Sequence, residues 1–438
     1  MAQLTEAACL LQSGAMYPRR IGLRTRSGAD IFAGVKPGGV SVYFGDSPIY
    51  HFDLDGRWQR AFVGEAHFLK GLDSIVHSID REREGIAMVL RRRTLPFGQA
   101  VDLDASIRTM ALDLIDDLDS GSLEFVPVPD RARPLQVDEF RTFLDRVAGW
   151  DSTAWFAHRE RYLGTYGPMP FLPTDCPGAL VVQASLGHSG GRAFGRARPF
   201  EHYLRSPKEF DEHCQAVKRL VGRRLSQFNR IFLAGADVLH QPITVLEAYF
   251  DRLWTHFVAE PPIPTGETQW DEFQPSKLPV QVMLDDLNGP LPGPDDWRRL
   301  ARAGLTRVTI GVESGDSMIR STYGKTWTND SLRSAIDQIH QAGISVGLIL
   351  LVGVGGRSVA ESHLAATLAM LEILPLGGED LVTLVDARSL DASPLDERLP
   401  LTDGEVESEI QRLKAWRSGG GPSKRPKVVA YNPDKQPG

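Results

Sequence analysis

Apolar and polar positions follow two different rhythms along this chain. From about Tyr17 to Leu95 short apolar runs alternate with polar residues and are broken by Gly, Pro and Asp, as in "SVYFGDSPIYHFDLDGRWQRAFV". A period of two bounded by turn residues predicts β-strands and hairpins. The period then lengthens to that of a helix in "ASIRTMALDLIDDLDSGSL" and "VDEFRTFLDRVAGW". Together these stretches predict an α+β N-terminal module over residues 1–165, β-rich first and helical second. The proline-rich stretch "LGTYGPMPFLPTDCPG" predicts a junction, with a linker at residues 166–178.

From Ala179 the rhythm changes to strands alternating with helices. The strand candidates are "ALVVQAS", "RIFLAGA", "LPVQVML", "RVTIGVE", "ISVGLILLVG" and "LVTLVDAR". Amphipathic segments such as "SPKEFDEHCQAVKRLVGRRL", "DDWRRLARAG", "NDSLRSAIDQIHQAG" and "VAESHLAATLAMLEIL" lie between them. Strands that are apolar nearly throughout are those covered on both faces by helices. Six successive βα units predict an α/β fold with a parallel sheet, a partial (β/α)6 TIM-like barrel over residues 179–400. A C-terminal helix over 401–418 and a disordered tail over 419–438, rich in Gly, Pro, Ser and Lys, complete the expected order.

Composition narrows the class. The net charge of −7 gives no general pull toward nucleic acid or an anionic membrane, so neither partner is expected. The longest apolar run, "ISVGLILLVGVGG", is too short to span a bilayer, and the N-terminus lacks the pattern of a secretion signal. A cytoplasmic protein with a small-molecule or protein partner of unknown identity is expected. Three cysteines, Cys9, Cys176 and Cys214, stand too far apart for a disulfide framework or a Cys-x-x-Cys site. In the N-terminal module, His51, Asp53, Asp55 and Arg57, with His67 and His77, gather around a turn. Asp55-Gly56 is a favoured hairpin pair, which reads them as a polar turn. The density of Trp, Arg and His also suits a recognition surface.

Strand "ALVVQAS" runs into the loop "LGHSGGRAFGRARPF", which holds no cysteine, carboxylate or other nucleophile beyond Ser189. Further on, "RVTIGVESGDSMIRSTYGKTWTNDSLRSAIDQIHQAGISVGLILL" is followed by "VGVGGRSVAESHLAATLAMLEILPL". The order of a Gly-x-Glu-Ser-Gly strand end, a Gly-Lys turn, an "AGI" strand start and a Gly-rich turn followed by His and Thr resembles the radical SAM superfamily. The resemblance covers about Ala179 to Leu395. It implies a partial barrel holding a [4Fe–4S] cluster and S-adenosyl-L-methionine, with three thiolates from a Cys-x-x-x-Cys-x-x-Cys loop after the first barrel strand.

In that register the ligand positions fall on His188, Arg192 and Gly195. Another register, anchored on "RPF" at residues 198–200, shortens the loop and also supplies no cysteine. Thiolates hold such clusters, a guanidinium cannot ligate iron, and glycine has no side chain to do so. The resemblance further implies a cofactor pocket from Gly235, Ala236 and Asp237 at the second strand, Gly311, Glu313 and Ser314 at the fourth, and Gly353, with Gly355 and Gly356, at the fifth.

Three functions stay open. One is a degenerate radical SAM-like protein that has lost its cluster and now binds or regulates. Another is an active enzyme whose cluster is held in an unusual way. The third is a barrel enzyme with non-radical chemistry, Arg192, Arg196 and Arg198 clamping a phosphorylated ligand.

Overall fold

The computed structural model describes residues 19–36, 38–84, 87–128, 133–169, 171–187, 202–235, 238–258, 277–285, 287–389, 399–418 and 425–432. The N-terminal module is an antiparallel meander in chain order. Its strands are β1 (Arg19–Arg24), β2 (Asp30–Lys36), β3 (Gly39–Phe44), β4 (Ile49–Asp53), β5 (Trp58–Val63), β6 (Ala66–Lys70), β7 (Val76–Glu84) and β8 (Ala87–Thr94). Two short strands, Glu124–Phe125 and Arg133–Pro134, add to β1. Helices α1 (Phe97–Asp119), α2 (Val137–Ala148) and α3 (Ser152–Thr165) follow.

Alternation makes this a one-sided core. Val40, Val42, Phe52, Trp58 and Ala61 point to the side on which Ile107, Leu114, Phe140, Leu144 and Trp155 of the helices pack. Helix α2 starts at a capping box between Gln136 and Glu139, and α3 at an Asp151 cap that accepts from the Ala154 amide.

The second core belongs to a parallel sheet. Its elements run β9 (Ala179–Gln183), α4 (Pro207–Val221), β10 (Arg230–Ala234), α5 (Ile243–His256), β11 (Val280–Leu284), α6 (Pro294–Ala303), β12 (Leu305–Glu313), α7 (Ser317–Thr322), α8 (Asn329–Gln341), β13 (Ser345–Val352), α9 (Ala360–Ile373), β14 (Leu381–Asp386), α10 (Asp403–Ser418) and β15 (Lys427–Ala430). Every neighbouring pair in this sheet is parallel and the spatial order is the chain order. The expected α/β parallel-sheet architecture is present.

One sequence expectation needs correction. The tail over 419–438 was expected to lack structure, yet β15 lies within it and pairs with β14, its Val428 buried. The Gly- and Pro-rich composition hid a four-residue run, "KVVA", that gains ladder hydrogen bonds from an existing sheet edge. The connection before β9 is packed against the sheet. Leu172 and Cys176 are buried, the Thr174 hydroxyl meets that of Thr383 at 2.9 Å, and the Phe171 ring lies 4.5 Å from that of Tyr431. This strap joins the first-strand side of the sheet to its last two strands.

The turn at Asp53–Arg57 closes a hairpin and also grips the second core. The buried Arg57 guanidinium donates to Asp53 at 2.6 Å and to the carbonyls of Leu220 and Val221 at 2.7 and 2.5 Å. Those carbonyls are the last of α4, which a helix leaves without partners of its own. Asp55 accepts from the Arg223 amide at 2.9 Å. A cation at the carboxyl end of a helix is also favoured by the helix dipole. No described helix is long and apolar enough to cross a membrane.

Candidate functional site

Chemistry in parallel α/β folds gathers at the carboxyl ends of the strands. Gly235 ends β10, Gly311, Glu313 and Ser314 end β12, and Gly353 ends β13. His188, Arg192, Gly195, Ala236 and Asp237, together with Arg196 and Arg198, lie outside the described residues.

Glu313 is the centre of the strand-end arrangement. Pairing of β12 with β13 shifts register between Gly311 and Glu313, and Glu313 takes a left-handed backbone with φ 61°. A non-glycine residue in that region holds backbone strain that its surroundings must offset. The offset is visible: its carboxylate, 1% exposed, lies 2.5 Å from the Lys325 ammonium. Lys325 also donates to the carbonyls of Asp285 at 2.6 Å and Gly311 at 2.8 Å. The ion pair and these two hydrogen bonds tie the ends of β11 and β12 together. Gly311 is required for this, because a Cβ there would stand 2.9 Å from the ammonium nitrogen.

Ser314 continues the network. Its hydroxyl accepts from the Asp316 amide at 2.9 Å and lies 2.8 Å from His363 Nδ1. The other ring nitrogen, Nε2, carries a proton, since the groups beside it are acceptors. It faces the Leu351 carbonyl at 3.1 Å and Glu409 Oε1 at 3.0 Å. The other oxygen of Glu409 accepts from the Gly353 amide at 3.0 Å. Gly315 follows, donating to Thr367 at 3.0 Å, and a Cβ on it would meet the backbone of Ala366 and Thr367 at 2.4 Å. Arg320, buried over the Trp327 ring, donates to the Ser314 carbonyl at 3.1 Å and to Asn329 at 2.7 Å.

The row Ser314–His363–Glu409 has the order of a hydrolytic triad, but its geometry is that of a brace. Ser314 and His363 are 0% exposed, and the hydroxyl is held by a backbone amide, so no reacting carbonyl can reach it. Lys325, His363 and Thr367 are the Lys, His and Thr of the string compared above, where they mark the resemblance and are not among the implied site residues. Glu409 was missed altogether, since its partners are 46 and 56 residues away in the chain.

The two described cysteines do not meet at this edge. Cys176 precedes β9 at the opposite end of the sheet, its thiol 2.7 Å from Gln281 Oε1. Cys214 is buried in α4 among Phe210, Val217 and Leu220. Burial pushes both thiols well above the usual range, the reverse of what a metal-ligating thiolate needs. Cys9 lies outside the described residues. Among the described residues no group of three or more His, Cys, Asp or Glu is placed to hold a metal ion. Among the described residues, then, no set of thiolates of the kind that holds a [4Fe–4S] cluster is gathered.

The contacts implied for S-adenosyl-L-methionine also meet atoms already in use, at Glu313, Ser314 and the Gly353 amide. Among the buried polar atoms without a hydrogen-bond partner in the described residues is the Ser185 hydroxyl, which stands beside Gly235, whose Cβ would meet it at 2.4 Å. A cavity of about 500 Å³ lies at the other end of the sheet, between Thr174, Asp175, Arg307, Asp380 and Lys427. Its Arg307 is bound to Asp175, to the Glu379 carbonyl and to Ser345.

Comparison with known proteins gives one family. Residues 280–370 match the Radical SAM superfamily. No curated protein matches the chain. Among solved structures, the cobalamin-dependent S-adenosylmethionine radical enzyme OxsB is similar at 14% identity over 58% of this chain and 31% of its own, with a TM-score of 0.34. Coproporphyrinogen III oxidase (HemN) from Escherichia coli is similar at 11% identity over 44% of this chain and 40% of its own, with a TM-score of 0.31. HydG, a maturase of the [FeFe]-hydrogenase, is similar at 14% identity over 76% of this chain and 67% of its own, with a TM-score of 0.38. The chain thus spans about a third of the length of OxsB and two fifths of that of HemN.

Proposed function

We propose that this chain, whose residues 280–370 match the Radical SAM superfamily, keeps the barrel as a scaffold without its cluster and acts by binding or regulation rather than by generating radicals. The observation that carries the reading is the placement of sulfur. The loop after β9 has no cysteine in its sequence, and the two described thiols are buried at the wrong end of the sheet and inside a helix. Without thiolates there is no cubane to deliver an electron, and the buried groups around Glu313 do not replace one.

The strand-end network supports the same reading. Glu313–Lys325 and Ser314–His363–Glu409 stabilise the mouth from within, so the motif residues are explained by the fold they hold. Two free, buried thiols also fit the reducing cytoplasm, where we place the protein.

Anaerobic purification with iron and sulfide reconstitution tests the reading. The expected preparation is colourless after desalting, has no paramagnetic signal on reduction, and forms no 5′-deoxyadenosine from S-adenosyl-L-methionine. About four irons and four sulfides per chain, retained after desalting, would overturn it. The combined His188→Cys, Arg192→Cys and Gly195→Cys variant is the control. If it alone takes up a cluster, the missing ligands are the cause.

A further inference from the structure

Among the described residues the meander packs helices on one side only, and its other side has a composition the barrel does not explain. Register places Ser41 opposite His51, His51 opposite Arg60, Arg60 opposite Leu69, Leu69 opposite His77 and His77 opposite Thr94. One row of side chains therefore crosses six strands, from β3 to β8. Beside it Tyr43 pairs with Ile49, Ile49 with Phe62, and Phe62 with His67.

The rings of the two rows touch. Phe62 and His67 stack at 4.2 Å, His51 meets Phe62 at 5.8 Å, and Tyr43 meets His51 at 6.3 Å. All four are half-buried rather than covered. Burial, with Arg60 and Lys36 nearby, holds His51 below its ordinary range; burial, with Arg60 and Arg81, does the same for His67, and burial with Arg92 for His77. At neutral pH these imidazoles are uncharged rings.

The positive charge on this side comes from arginine. By strand parity Arg20, Arg60 and Arg81 project here, and among the described residues none of them forms an ion pair with a carboxylate. The strand carboxylates of the same parity, Asp30 and Asp53, are bound to Arg24 and Arg57. Residues 19–94 hold 13 Lys and Arg against 9 Asp and Glu, in a chain whose net charge is −7. The whole-chain charge thus conceals a basic meander on an acidic protein.

We propose that this side of the meander binds single-stranded nucleic acid, with Tyr43, His51, Phe62 and His67 as the stacking platform and Arg20, Arg60 and Arg81 on the phosphates. Contiguous uncharged rings flanked by unpaired guanidiniums suit planar bases joined by anions. A duplex hides its base faces, and an acidic peptide would use the cations and leave the rings idle. The inference is independent of the barrel's cluster content, so either reading can fail alone.

The test is fluorescence anisotropy of the full chain with a labelled thymidine oligomer of about 20 nucleotides, between about 50 and 200 mM salt. Binding that weakens with salt is expected. Arg60→Glu with Arg81→Glu, both at exposed positions, should lower affinity at least about tenfold and reduce the log–log salt slope by about 1.4. Phe62→Ala should cost about fivefold or more through lost stacking. If that variant is unfolded by circular dichroism, the arginine pair decides alone. No binding at low salt, equal binding of the matching duplex, displacement by polyglutamate at equal charge, or indifference to the arginine pair would overturn the proposal.

Discussion

Lys325 joins a charge, two carbonyls and a strained residue at one atom. Removing the ammonium leaves Glu313 charged and 1% exposed, without its cation, in a left-handed backbone. Breaking one side of a buried pair costs more than the pair contributes. Lys325→Met should therefore destabilise the chain by about 3–5 kcal/mol in denaturant unfolding, and adding Glu313→Gln should restore a large part of that loss. Equal stability of the single and double variants would show that the pair is not coupled. At this scale the sequence was half legible. Gly311, Glu313 and Ser314 stand out as a strand end, because glycine and a carboxylate there break an apolar run. That Glu313 is occupied by Lys325, and Ser314 by His363, follows only from long-range packing that no local pattern encodes.

Among elements, α4 shows how the two cores are joined. Its amino end is closed by Ser206 and Glu209 in a capping box, and its carboxyl end by an arginine from another module. Arg57→Met leaves Asp53 buried without its cation and two carbonyls without donors. Unfolding should shift by about 3 kcal/mol or more, and amide exchange should quicken in the last turn of α4 before the rest of the barrel. Uniform exchange along α4 would refute the clamp.

Elements were also the most readable level. All six barrel strands match apolar runs to within two residues, since burial on both faces leaves little ambiguity. Helix α5 was missed: "ITVLEAYFDRLWTH" is rich in aromatic and β-branched residues, and Leu246, Tyr249, Phe250 and Leu253 make it helical by packing, not by propensity. The turn at Asp53–Arg57 was read correctly as a turn, while its grip on α4 lay about 160 residues away.

In the whole molecule, two buried histidines set the acid limit. Burial lowers His158 and His213 to about 3 each. Both are bonded as neutral rings, His158 to the Leu72 carbonyl and His213 to the Gln183 amide. Below about pH 6.5 the unfolded chain takes up protons at both sites while the folded chain does not. Stability is thus full above that pH and is lost as pH falls from about 6.5 toward 3, by about 1 kcal/mol per pH unit for each histidine. Denaturant unfolding at stepped pH checks this, and His213→Gln should flatten the slope by about half. A slope unchanged in that variant would assign the acid lability elsewhere.

The last strand has a practical consequence for anyone handling this polypeptide. Trimming it after Ser418, as its Gly- and Pro-rich terminus invites, removes the neighbour that covers β14 and bares four residues of main-chain donors and acceptors. Such a rim recruits other strands. The shortened form should self-associate on a sizing column, while a shorter trim that ends after Tyr431 and so keeps Lys427–Ala430 should elute as the parent does.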